Sequence, residues 1–234
     1  HPKGAMHTHR SFMSEYTSCI RHLDLSDTDR SLAALPLYHS AQMHVFTMPA
    51  LMIGSQTFLM EAPLPESVFN IISREKINSF FAPPTVWIGL LRHAGFDQHD
   101  LSSLQNIYYG ASIMPEPIVA ELTKRLAGSR LYNCYGQSEI APLATVLGPD
   151  EHTGRLASAG KPVMSVATRI VDPLTMADCA PGERGEIVHR SPHLMIGYWN
   201  KPVKPLKEAG FTRETWPMLM KKGLSISSIE LRMS

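Results

Sequence analysis

The feature that most constrains this chain is an alternation of short apolar runs with helix-length segments between Leu32 and Asn133. Residues 32–38 read as a buried strand and 43–53 as an apolar helix. Residues 57–60 form a second strand, and Pro65-Glu66 opens a helix that sets Val68, Ile71 and Ile72 on one face. Residues 77–81 are strand-like, Pro83-Pro84 opens a helix through Leu91, and 104–109 are strand-like again. A helix over 115–126 and a strand over 130–133 complete the series. Strands separated by helices of this length predict an α/β fold: a mostly parallel sheet flanked by helices. After Ala141 the texture changes. Residues 166–171 and 185–190 read as strands joined by Pro- and Gly-containing turns, with no helix between them. The predicted organisation is an α/β unit over 1–159, a small β-rich subdomain over 160–202 and a tail over 203–234.

Composition removes several functional classes. A formal net charge of +1 leaves no electrostatic footprint for nucleic acid, and no basic run suggests an anionic membrane. The longest apolar stretch, near 46–53, is too short to span a bilayer. Cys19, Cys134 and Cys179 are odd in number and form no CxxC pair. The expectation is therefore a cytoplasmic protein with at most peripheral membrane contact. The chain opens on His1-Pro2-Lys3-Gly4, without an initiator Met or signal peptide, which reads as a fragment.

In an open α/β sheet, ligands sit beyond the carboxyl ends of the strands. Three segments end predicted strands with polar or small residues. LPLYHSAQ places His39, Ser40 and Gln42 in a loop; IYYGASIMP delivers Gly110, Ala111 and Ser112, which let a planar ligand approach the backbone. LYNCYGQSE groups Tyr135, Gly136, Gln137, Ser138 and Glu139. An aromatic ring, a hydroxyl and a carboxylate together suit a nucleotide, the ring stacking on a base and the oxygens holding phosphate and Mg²⁺. Each segment is equally compatible with an ordinary strand-to-helix turn. His7 and His9, at spacing two with no further ligand nearby, read as surface or strand residues; Lys124-Arg125 reads as a solvated helix face, and Asp172 as a turn residue.

The ordered series PKGAMHTHRS, LPLYHSAQ, YYGASIMP, YGQSE, GERGEIVHRSP and IGYWNKP resembles the core motifs of the adenylate-forming superfamily, nearest to bacterial fatty-acid–CoA ligases. The likeness covers residues 1 to about 202. It implies a two-step reaction: a carboxylate attacks the α-phosphate of ATP, and coenzyme A then displaces AMP from the acyl-adenylate. It also implies roles. Lys3 would end the phosphate loop; Gly110, Ala111 and Ser112 would line the adenine, and Tyr135, with Gly136 and Gln137 beside it, would pack on the base. Ser138, where the family usually has Thr, would contact the α-phosphate, and Glu139 would help coordinate Mg²⁺. His39 would sit beside the reacting carboxylate, and Trp87 would line an acyl pocket together with Ile88 and Leu91, whose alternative is plain core packing. An aryl-CoA ligase or a peptide-synthetase adenylation domain is the near alternative, and a catalytically inactive piece of a broken gene the distant one.

The tail departs from this pattern. The family continues with a segment close to GGWFHTGDLAYVDEEGFI and a hinge DR, whereas this chain reads KEAGFTRETWPMLMKKGLSISSIELRMS. Back-translated from Ala209 and shifted by one base, the tail permits the missing family text. Trp216-Pro217 forces alanine, Met220-Lys221 forces glutamate, and Ile229-Glu230 allows only arginine or a stop, all in agreement with the family. The reading is a frameshift between about Pro202 and Ala209.

Overall fold

The structure, a computed structural model, describes residues 3–200. Pro2, the 203–234 segment and the frameshift reading lie outside the described residues. Seven strands form one mixed sheet in the order β3-β2-β4-β5-β6-β7-β8. These are β2 (Arg30–Ala33), β3 (Gln56–Leu59), β4 (Ser79–Ala82), β5 (Asn106–Gly110), β6 (Arg130–Gly136), β7 (Leu143–Leu147) and β8 (Lys161–Pro162). The first five run parallel, β7 pairs antiparallel to β6 and β8 antiparallel to β7, so the expected mostly parallel α/β sheet is present.

The helices are α1 (His9–His22), α2 (Met48–Ile53), α3 (Pro65–Glu75), α4 (Pro84–Arg92) and α5 (Glu116–Arg125). Proline in the first turn of α3, α4 and α5 costs nothing there, because the first helical N–H groups have no intrahelical acceptor. The period of two along each strand sorts the core into two layers. Phe80, Ile107 and Tyr109 pack with Trp87, Val119 and Leu122 under α3, α4 and α5. Phe81, Tyr108 and Tyr132 face the other way, against Cys19, Leu23, Val45 and Phe46.

Three expectations are corrected. The strand expected over 32–38 ends at Ala33, and Leu37 and Tyr38 are exposed in the loop that follows. The helix expected over 43–53 is two elements, a π-helix (Ala41–Thr47) running into α2. Arg125 is tied down rather than solvated: its guanidinium lies 4.0 Å from the Phe96 ring centroid, reaches Asp97 at 2.7 Å and donates to the Leu91 carbonyl. Asp172 does make a turn, its Oδ1 accepting from the Leu174 and Thr175 N–H groups.

Two smaller sheets complete the fold. β9 (Ala167–Val171) and β10 (Glu186–Arg190) pair antiparallel over a cluster of Val171, Met176 and Val188. β1 (Ala5–Met6) and β11 (Gly197–Tyr198) form a two-residue ribbon, with Ala5 opposite Tyr198 and Met6 opposite Gly197. Following β1 in the chain is α1, capped reciprocally by Thr8 and Ser11. Its Glu15 is fully buried and accepts the Leu143 N–H, and burial drives that carboxyl well above its ordinary range.

Candidate active site

Because β2, β4, β5 and β6 are parallel, the loops that leave their carboxyl ends emerge on one side of the sheet. Those after β2, β5 and β6 meet around a cavity of about 370 Å³, a volume in the range of small-molecule sites. The β2 loop contributes Tyr38, His39 and Ser40, the β5 turn Ala111, and β6 with its turn Tyr135, Gly136, Gln137 and Ser138. The apolar wall is Val45 and Phe46 of the π-helix with Phe81 of β4. The Phe46 and Phe81 rings stack at 4.4 Å.

Backbone proximity fixes two of the small residues. A Cβ on Gly136 would lie 1.8 Å from the Pro142 carbonyl oxygen, and one on Gly110 would lie 2.1 Å from that of Cys134. The neighbouring strand, rather than a ligand, thus dictates Gly110. Ala111 follows with φ at 65°, a left-handed conformation uncommon outside glycine and concentrated at functional turns. Ser112, beside it, is exposed. Tyr135 is half-buried on the cavity wall, and burial raises its phenol pKa, so it remains a neutral ring.

The polar rim is cross-linked. The Ser138 and Ser40 hydroxyls lie 2.8 Å apart, joining the β6 turn to the β2 loop. His7 Nε2 donates to the Ser138 carbonyl at 2.7 Å. Burial lowers the His7 pKa, the Ser138 carbonyl working against it. His39 is exposed at the cavity and its Nδ1 accepts the Ala41 N–H at 3.3 Å, which leaves the neutral ring's proton on Nε2. Glu139 is held at two points: its carbonyl accepts from the Met195 N–H at 2.9 Å, and its Oε1 accepts from the Tyr198 hydroxyl. Burial, then the bond to Glu139, pushes the Tyr198 pKa up to about 12. The Lys3 ammonium sits 5.3 Å from the Tyr198 ring centroid.

Of the residues singled out in the sequence, Lys3, Gly110, Ser112 and Glu139 do not themselves line the cavity, and Trp87 and Gln42 are buried away from it. Trp87 is 1% exposed, packs against Phe80 in the core layer of α3–α5, and donates its indole N–H to the Tyr108 carbonyl. The cavity's apolar wall is made on the other sheet face, by Val45, Phe46 and Phe81. Gln42 is buried inside the π-helix, bonded to Thr47.

Residues 1–199 match the family model described as AMP-binding enzyme. The chain belongs to the AMP-binding enzyme family. It is 31% identical over 201 residues to a feruloyl-CoA synthase of Amycolatopsis sp, covering 86% of this chain and 40% of that protein. Against a long-chain-fatty-acid–CoA ligase of Bacillus subtilis the identity is 29% over 219 residues, with 92% and 38% covered. Among solved structures, the O-succinylbenzoate coenzyme A synthetase of Bacillus subtilis in complex with ATP and magnesium ion superposes with a TM-score of 0.80 at 26% identity, covering 95% of this chain and 44% of that one. The chain thus spans about two-fifths of the length of the relatives it matches.

Within this AMP-binding fold, sequence reasoning missed His7 and Tyr198 as neighbours of the site. His7 carried a signal only in its nearness to the PKG segment. Tyr198 lay in the IGYWNKP motif, whose place beside Glu139 emerges once β11 pairs with β1.

Proposed function

We propose that the chain is the nucleotide-binding core of an ATP-dependent acid–CoA ligase of the cytoplasm. In that reaction a carboxylate attacks the ATP α-phosphate, pyrophosphate leaves, and the thiol of coenzyme A displaces AMP from the acyl-adenylate. The observation that carries the reading is the convergence of three parallel-strand ends, with Tyr135, Ser138 and His39, on one cavity. Tyr135 stacks on the adenine, with Gly110, Ala111 and Ser112 along its edge and Gly136 and Gln137 beside it. Ser138 donates to the α-phosphate. His39, with its Nε2–H outward, orients the incoming carboxylate, and Lys3 meets the outer phosphates.

Mg²⁺ bound with the nucleotide would supply positive charge against the phosphates, and Mg²⁺ sites typically draw on one or two carboxylates besides substrate phosphates. Glu139 fits that demand, since Oε1 is bonded to Tyr198 and no hydrogen bond reaches Oε2 among the described residues. Among the described residues there is no group of three or more His, Cys, Asp or Glu side chains that could hold a metal ion.

The acid is apolar, and the wall of Val45, Phe46 and Phe81 supports a fatty acid. The stacked Phe46–Phe81 pair and the likeness to a feruloyl-CoA synthase favour an aryl acid as the second reading. Equilibrium dialysis with AMP tests the site. Ser138→Ala is expected to weaken AMP binding about 3–10-fold, the worth of one hydrogen bond, and Ser138→Thr to bind like the parent chain. A parent chain that leaves millimolar AMP free would sink the proposal. ATP–pyrophosphate exchange by the full-length protein with palmitate and ferulate then separates the two acids.

A further inference from the structure

We infer that Tyr198 is a positioning residue for the Glu139 carboxylate, holding it in one orientation for a phosphate-bound divalent cation. The inference rests on the reading of Glu139 as the cation's carboxylate and deepens it. One short segment grips Glu139 at both ends: the Met195 N–H takes its carbonyl and the Tyr198 hydroxyl takes Oε1. An unheld glutamate samples several rotamers, and binding a cation must first freeze them. With Oε1 held by Tyr198, part of that ordering would already be in place for a cation, as with other hydrogen-bonded metal carboxylates.

The ribbon does not need the hydroxyl for its own integrity. The Ile196 N–H donates to the Met6 carbonyl at 2.9 Å and the Trp199 N–H to that of Gly4 at 2.8 Å. Tyr198→Phe would keep the ring under Lys3 and the strand pairing. What it would remove is the bond to Oε1. The hydroxyl therefore acts on the carboxylate rather than on the fold.

The test is the chain with ATP and Mn²⁺, free Mn²⁺ being read by electron paramagnetic resonance and metal-free ATP binding by calorimetry. Tyr198→Phe is expected to raise the Mn²⁺ dissociation constant about tenfold with metal-free ATP affinity unchanged, a split that a merely structural role would not produce. Glu139→Gln should lose at least as much, and the double variant no more than Glu139→Gln alone, because both act through one carboxylate. A Tyr198→Phe chain that binds Mn²⁺ like the parent, or loses metal-free ATP equally, overturns the positioning role and leaves the nucleotide reading standing. A parent chain that binds neither ATP nor Mn²⁺ overturns both.

Discussion

The central strands and the β1–β11 ribbon both meet the cavity's polar rim, yet they are built in opposite ways. β4 and β5 are buried at every residue and bonded on both sides by parallel neighbours. The ribbon is two residues on each side, with Ala5, Met6 and Tyr198 half-buried and Gly197 buried, flanked by exposed Lys3 and by Trp199 at 66% exposure. The strands fix where the loops emerge; the ribbon, through Tyr198, meets one carboxylate oxygen of Glu139. Stability and site geometry are thereby carried by different parts of the molecule, and substitutions should separate them.

The largest effect breaks the scaffold. Gly136→Val puts side-chain atoms where β7 already runs, with the Cβ 1.8 Å from the Pro142 carbonyl oxygen. A loss on the order of 5 kcal/mol is expected, read as failure to give a cooperative thermal transition. Trp87→Ala should cost about 3–5 kcal/mol by leaving a cavity in the α3–α5 layer. Denaturant unfolding measures this, and nucleotide affinity extrapolated to the folded fraction should not move.

A third test uses pH. His189 and His193 are fully buried, and burial lowers both to about 4 from the ordinary 6.5. Between those values the unfolded chain binds protons on these two residues that the folded chain refuses, so their contribution to stability falls as pH drops from 6.5 toward 4, while Glu15, raised by burial, opposes it. The loss at pH 5 relative to pH 6.5 should be about 1–2 kcal/mol per histidine. A thermal midpoint that stays flat over this window in the Glu15→Gln chain, where the opposing carboxyl is gone, would show that these rings accept protons in place. The smallest effect is expected from the ribbon. Tyr198→Phe removes one hydrogen bond and should cost less than about 1 kcal/mol, seen as a shift of a few degrees at most. A larger loss would blur the division between the two regions.

Sequence reasoning read the central parallel strands well because β4 and β5 are buried at every residue and bounded by Pro or polar residues. It overran β2 because Leu35, Leu37 and Tyr38 continue the apolar text while the chain has already left the sheet. It did not find α1, whose inward face carries Ser11, Glu15 and Ser18 beside Tyr16 and Cys19, so apolar spacing was too weak to mark a helix. The Thr8–Ser11 cap was the available signal. The π-helix leaves no trace in composition, since only an extra residue per turn distinguishes it. In the site, the segments around His39, Ala111 and Ser138 were legible as strand ends. The parts brought in by β1 and β11 were not, because a two-residue pairing across some 190 positions has no periodicity to read.

That pairing has a topological consequence. The Trp199 N–H bonds to the Gly4 carbonyl, so the described chain returns to its own beginning. The unit is a closed circuit, and the order in which its pieces follow one another is separable from their arrangement in space. A circularly permuted chain, sealed by a short linker across the ribbon and opened at the exposed turn of Thr153 and Gly154, would present the same cavity from a different starting residue.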